Sequence, residues 1–161
     1  MSGPAVWGWT ALLSFLPVSE LRGAIPFAMT QGIPWYAAYP CAAALNALVA
    51  PVCWVFLSTL HRLFLKMGWY EKIFTRFVGR AREKLHGGVE KWGWLGVAVF
   101  VAIPLPVTGA WTGTLGAWVL GLPKGKTLIA VILGVIVAGA IVTSVMLLGT
   151  GALRIFVKEV L

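Results

Sequence analysis

The chain has 161 residues, 60% of them hydrophobic and only 11% charged, and its mean hydropathy is strongly positive. That composition excludes a soluble globular surface and places the chain in lipid. The net charge of +8 resembles that of a nucleic-acid binder, but eight of the thirteen Lys and Arg fall between Arg62 and Lys91, in a stretch flanked by apolar runs. This is the pattern of a cytoplasmic membrane-surface segment, and equally of a basic linker that only fixes topology, so no nucleic-acid partner is expected.

In chain order, a Trp-rich apolar run from Val6 to Leu16 comes first. It has about half of the ~20 residues a bilayer-spanning helix needs, and it meets Pro17. The next stretch, Val18 to Gly32, opens on Ser19-Glu20-Leu21-Arg22-Gly23 and contains Pro26. A straight helix through both would put a charge pair and a helix breaker at mid-membrane depth, so the pattern predicts a re-entrant hairpin of two half-helices over 5–33. Trp35 to Leu60 is free of charge, with Pro40 and Pro51 inside it, and reads as the first span, tilted or kinked. There is no Lys or Arg before Arg22, hence no basic leader, and the chain is read as mature protein.

Residues 61–91 form the basic linker, with Leu63, Met67, Tyr70, Phe74 and Phe77 on one helical face and Lys or Arg around much of the rest. This predicts an amphipathic cytoplasmic helix in the interface plane, ended by Gly87-Gly88. Trp92 to Ile103 is again short and apolar, again stopped by prolines (Pro104, Pro106), and again followed by a small polar cluster, Thr108 to Gly113. A second hairpin is expected over 92–122, a second span over 127–149 and a short tail over 151–161. Cys41 and Cys53 share one apolar run without metal-ligand spacing and read as packed thiols.

A shift of 89 residues, which carries Pro17 onto Pro106, superposes Leu16-Pro17-Val18-Ser19 on Leu105-Pro106-Val107-Thr108 and Gly32-Ile33-Pro34 on Gly121-Leu122-Pro123 without a gap. The expected fold is therefore an all-α integral membrane protein built from an inverted repeat, over 1–60 and 92–150. Each unit is a re-entrant helical hairpin plus one transmembrane helix, and an odd number of crossings per unit forces the inversion. With the linker in the cytoplasm the N-terminus lies outside, the first hairpin enters from the outer face, and the second enters from the cytoplasmic face. Broken helices meeting near the midplane are a recurring transporter architecture, and irregular backbone at that depth implies a polar cavity.

Glu20 and Arg22 are the charged residues within the expected intramembrane part. A charge there costs at least roughly 2.5–3.5 kcal/mol, which makes both functional candidates, although a pair that merely neutralises itself reads the same way. Ser19, Thr108 and Thr112 supply hydroxyls near the turns at Pro17 and Pro106. Gly23 and Gly109 allow close backbone approach, and Gly109-x-x-x-Gly113 fits a plain packing motif as well. The second half-helix of each hairpin should start at mid-depth with free N–H groups facing the cavity; with Arg22 these favour an anionic group. Trp111 and Asn46 complete the substrate-binding candidates, with Gln31 as a further polar residue. His61 and His86 lie in the linker, away from any Ser or Cys nucleophile, so neither an enzyme nor a metal site is expected.

The stretches Leu16 to Pro26 and Ile103 to Gly113, joined by the basic middle segment, resemble the small multidrug export protein family over nearly the whole chain. That family in turn is similar to the DedA or VTT group of membrane proteins. The resemblance implies two re-entrant hairpins in inverted repeats and transport, including lipid flippases that recycle undecaprenyl phosphate. In the DedA group both hairpins carry acidic and basic residues, whereas here Gly109 and Trp111 stand at the places equivalent to Glu20 and Arg22. The expectation is a transporter or flippase for an anionic lipid or amphiphile such as a polyprenyl phosphate, in a prokaryotic inner membrane, as a homodimer, without a cofactor, coupled to H+ or Na+. A proton-coupled exporter of cationic compounds and a non-transporting membrane scaffold are the alternatives.

Overall fold

The computed structural model describes residues 3–59, 74–76, 78–79, 92–105 and 108–160, with side-chain surroundings as far as residue 149. The described residues are helical, joined by short turns and loops. Most of the basic linker, with His61 and His86, lies outside the described residues, as does Pro106.

Helix α1 (Gly3–Phe15) stops at a turn over residues 16–19, and α2 (Glu20–Thr30) packs against it. The second element of this pair keeps Pro26 inside it, so the break in the chain falls at Pro17 alone. Helices α3 (Trp35–Ala47) and α4 (Val49–Thr59) together form a 25-residue apolar stretch. They are parted at Leu48 because Pro51 has no N–H to offer the Ala47 carbonyl and its ring crowds that carbonyl. After the linker come α5 (Trp94–Ala102), α6 (Ala110–Val119) and α7 (Lys124–Val160).

Two stretches, Trp35–Thr59 and Lys124–Gly149, are long and apolar enough to cross a hydrocarbon core ~30 Å thick. Helix α7 begins three residues before the expected Thr127, since the Pro123 carbonyl accepts the Thr127 N–H (3.0 Å) and starts the helical ladder at Lys124. It also runs on through most of the tail expected as a separate segment, no proline intervening to stop it.

Helices α2 and α6 end identically. Ile33 N–H bonds to Ala28 O (3.0 Å) and Gly32 N–H to Met29 O (3.1 Å); Leu122 N–H bonds to Ala117 O (2.9 Å) and Gly121 N–H to Trp118 O (3.1 Å). Gly32 and Gly121 have φ +89 and +73, the left-handed cap this motif requires, and Pro34 and Pro123 follow to prevent continuation. The Gly-x-Pro signature of the sequence repeat is thus a helix stop.

The core gathers Leu21 and Ile25 of α2, Val97 and Val101 of α5, and Val131 and Val135 of α7. Helix α2 packs on α7, and α6 packs on α4, so one short helix of each half lies against the long helix of the other. Small residues permit the approach. A Cβ on Gly134 would stand 2.6 Å from Val101 Cβ and 2.8 Å from the Ala98 carbonyl, so α5 and α7 touch only because residue 134 has no side chain.

Candidate functional site

The turn between α1 and α2 is tight. Ser19 and Glu20 both donate their N–H to the Leu16 carbonyl (3.2 and 3.0 Å), and Gly23 N–H donates to Ser19 O (3.2 Å). Glu20 adopts φ +49, a left-handed backbone that costs a non-glycine residue about 1–2 kcal/mol. From that backbone its carboxylate crosses to the other half of the molecule.

There the loop between α5 and α6 is organised by one hydroxyl. Thr108 Oγ1 accepts the Leu105 N–H (3.1 Å) and lies within donating distance of the carbonyls of Ile103 (2.6 Å) and Leu105 (2.8 Å). The loop delivers the start of α6 to Glu20, whose Oε2 accepts the Ala110 N–H and whose Oε1 accepts the Trp111 N–H, each at 3.3 Å. These are free donors at the positive end of a helix, where a carboxylate contributes about 0.3–1 kcal/mol when exposed and up to ~2 kcal/mol when partly buried.

Gly109 makes the approach possible. It has φ +145, and a Cβ there would overlap the Glu20 carboxyl group. Position 109 is also the one the sequence shift pairs with position 20, so of two equivalent positions in contact only one has space for a side chain. Arg22 Nη2 stands 3.5 Å from Glu20 Oε2 and also donates to the Thr108 carbonyl, so both charged residues of the first half are bound to backbone of the second. The Glu20 side chain is 4% exposed and that of Arg22 is 19% exposed, which leaves the guanidinium as the open side of the pair.

Glu20, Arg22, Asn46, Val101, Pro104 and Gly109 are among the residues that line a small cleft of about 190 Å³. It is smaller than a typical small-molecule site. Asn46 is 1% exposed; its Nδ2 donates to the Ser14 carbonyl (2.8 Å), while its Oδ1 is buried with no partner among the described residues.

Of the residues expected at the site, Glu20, Arg22, Thr108, Gly109 and Asn46 come together. Trp111 contributes its backbone; its indole Nε1–H donates to Phe15 O (2.9 Å) and its ring meets that of Phe15 edge-on at 5.7 Å, tying α6 to the end of α1. Ser19 makes no side-chain cap of α2, and Gly23 is the position that leaves room for the Ser19 hydroxyl. Thr112 is half-buried on α6, and the hydroxyl that the helix buries is Thr114's, which donates to Ala110 O (2.6 Å). Gln31 is exposed at the end of α2. Gly113 is a packing position, since a Cβ there would overlap Val101.

One expectation is corrected. The start of α6 does not present free N–H groups to a cavity, because Glu20 accepts two of them; and the start of α2 is tied back to α1 through Leu16 O. Sequence reasoning also passed over Ser14 and Thr10, both fully buried on α1. Their spacing of four residues within an apolar run is the available signal, since it puts both hydroxyls on one helical face.

A family model described as "Putative small multi-drug export protein" matches residues 20–141. The chain belongs to this small multi-drug export family. The matched span opens on Glu20 and holds both sides of the Glu20–α6 contact, and the family together with the two long apolar helices makes the chain a membrane protein. No curated protein matches, and no solved structure matches.

Proposed function

We propose that this member of the small multi-drug export family is a transporter for an amphiphile with an anionic head group, a lipid phosphate being the class that fits best. The observation that carries the reading is the donor set around the Glu20 carboxylate. Two N–H groups of a helix start and a guanidinium form an anion site, here filled by the protein's own carboxylate. A substrate anion would replace Glu20 on these donors as the cleft opens, and no bond chemistry is involved.

Several features support an inverted repeat with two re-entrant hairpins as the framework. Glu20–Thr30 and Ala110–Val119 end in the same cap, and Trp35 and Lys124 open the two long apolar helices at the same shift of 89 residues. Helices α1, α2, α5 and α6 have 13, 11, 9 and 10 residues, hence reach roughly 14–20 Å, about half of a hydrocarbon core. The contact between equivalent positions 20 and 109 is what a two-fold axis passing between the hairpins would produce. On this reading the basic linker is cytoplasmic, the N-terminus is outside, and rocking of one unit on the other alternates access.

A second reading, export of cationic compounds with Glu20 as the exchange site, is favoured by the family's description. Flux in proteoliposomes separates the two. Under the anion reading, Arg22→Gln abolishes movement of a fluorescent lipid phosphate. Under the cation reading, Arg22→Gln spares efflux of a cationic dye and Glu20→Gln abolishes it. Lipid-phosphate movement that survives Arg22→Gln overturns the anion reading.

A further inference from the structure

We propose that Asn46 is the hydrogen-bond acceptor for the protonated form of Glu20, which makes a proton the ion coupled to the anion transport argued above, on which this inference rests. Asn46 and Glu20 line the same cleft, one from α3 and the other from the start of α2. The amide orientation follows from its partner. The Ser14 carbonyl can only accept, so Nδ2 must point to it and Oδ1 is the atom left over. A buried oxygen without a donor costs free energy, and a donor supplied in another state of the protein would offset that cost.

Besides Arg22, whose guanidinium is engaged with the Glu20 carboxylate and the Thr108 carbonyl, Glu20 is the ionisable side chain of the cleft lining that can become that donor. As a carboxylate, Glu20 needs donors and has them in Ala110 N–H, Trp111 N–H and Arg22. As a carboxylic acid it carries an O–H that none of these can accept, since all three are donors themselves. Protonation by water entering the cleft would therefore weaken its hold on α6, and the acid would donate to Asn46 Oδ1. The α6 start and Arg22 are then free for the substrate anion; deprotonation returns Glu20 to them and expels it. One proton enters the site with one anionic charge, so neither charge is left unpaired.

Sodium fits the cleft less well. A metal cation beside Glu20 would stand against the guanidinium of Arg22 and the positive end of α6, whereas a proton neutralises the carboxylate without adding a charge next to them. Arg22 is the other charged group of the cleft. Helices α1, α3, α4 and α6 carry no Lys, Arg, Asp or Glu, and the thiols of Cys41 and Cys53, on α3 and α4, are not among the residues lining the cleft. Lys124 and Lys126, at the start of α7, are exposed and outside the cleft.

Infrared difference spectroscopy of the full chain in lipid nanodiscs, titrated with acid in the absence of substrate, tests this directly. The carboxylic acid band that disappears in Glu20→Gln is the Glu20 signal. In the wild type it should lie at the frequency of an acid donating a hydrogen bond. In Asn46→Leu it should move to the free-acid frequency, with the protonation midpoint lowered by about half a pH unit to one unit. A free-acid band in the wild type overturns the proposal without any variant, and an unchanged band and midpoint in Asn46→Leu or Asn46→Ala overturn it as well. Lipid-phosphate flux with Arg22→Gln is read separately, so a failed infrared test with a surviving flux result rejects the role of Asn46 and leaves the transport reading standing.

Discussion

The two breaks in the helical chain carry the same sequence frame and solve opposite problems. The first, at residues 16–19, is closed by backbone bonds onto Leu16 O and leaves its charges, Glu20 and Arg22, free to reach outward. The second, between Ala102 and Ala110, is uncharged, closed by the Thr108 hydroxyl, and leaves backbone donors and a bare Gly109 to receive them. A carboxylate at position 109 as well as at position 20 would put two carboxylates in one buried space, where they repel and cannot both ionise. Residue 20 is the guest and position 109 the socket, so the two positions paired by the sequence shift differ in their side chains.

The most severe way to break this comparison is to fill the socket. Gly109→Val, which forces a side chain into the Glu20 carboxyl at a backbone angle that glycine favours, should cost at least about 3 kcal/mol in denaturant titrations of the purified protein. Emptying the guest position is milder. Glu20→Gly loses the two α6 bonds and the counter-charge of Arg22 but relieves the left-handed strain, and should cost roughly 1–2 kcal/mol in the same assay.

The loop-closing hydroxyls sharpen the contrast further. Thr108→Val removes the group that binds Ile103 and Leu105 and should cost about 1–2 kcal/mol, whereas its counterpart Ser19→Ala, which caps nothing, should stay within about 0.5 kcal/mol of wild type. Equal effects at the two positions would show that the breaks are built alike. The smallest expected effect lies away from both breaks. Tyr39→Phe deletes the bond from its Oη to the Ile136 carbonyl (2.9 Å) between α3 and α7 and should cost about 0.6 kcal/mol, again by denaturant titration.

Much of this was legible in the sequence, for identifiable reasons. Long uncharged runs and paired prolines are local signals, so the break at Pro17 and the two long apolar helices, expected over 35–60 and 127–149 and found at Trp35–Thr59 and Lys124–Gly149, could be placed to within three residues. Intramembrane charge pointed to Glu20 and Arg22, and the hydroxyl and glycine close to Pro106 pointed to Thr108 and Gly109. What was not legible is which groups satisfy which. The donors at the start of α6 looked free because their partner, Glu20, is ninety residues away in sequence, and only tertiary packing brings it there. The same holds for Asn46, whose orphan oxygen becomes visible only once Ser14 is known to take its nitrogen. Trp111 was proposed for its ring and proved to matter at this site through its backbone N–H, a role that no side-chain identity announces.

The central claim is that the Glu20 carboxylate sits on the first N–H groups of α6. Amide NMR of nitrogen-15-labelled protein in micelles reads those two groups directly. The account predicts that the Ala110 and Trp111 amide signals titrate together with a single midpoint and lose that titration in Glu20→Gln. Amide signals that are flat across the titration, or that titrate unchanged in Glu20→Gln, would contradict it.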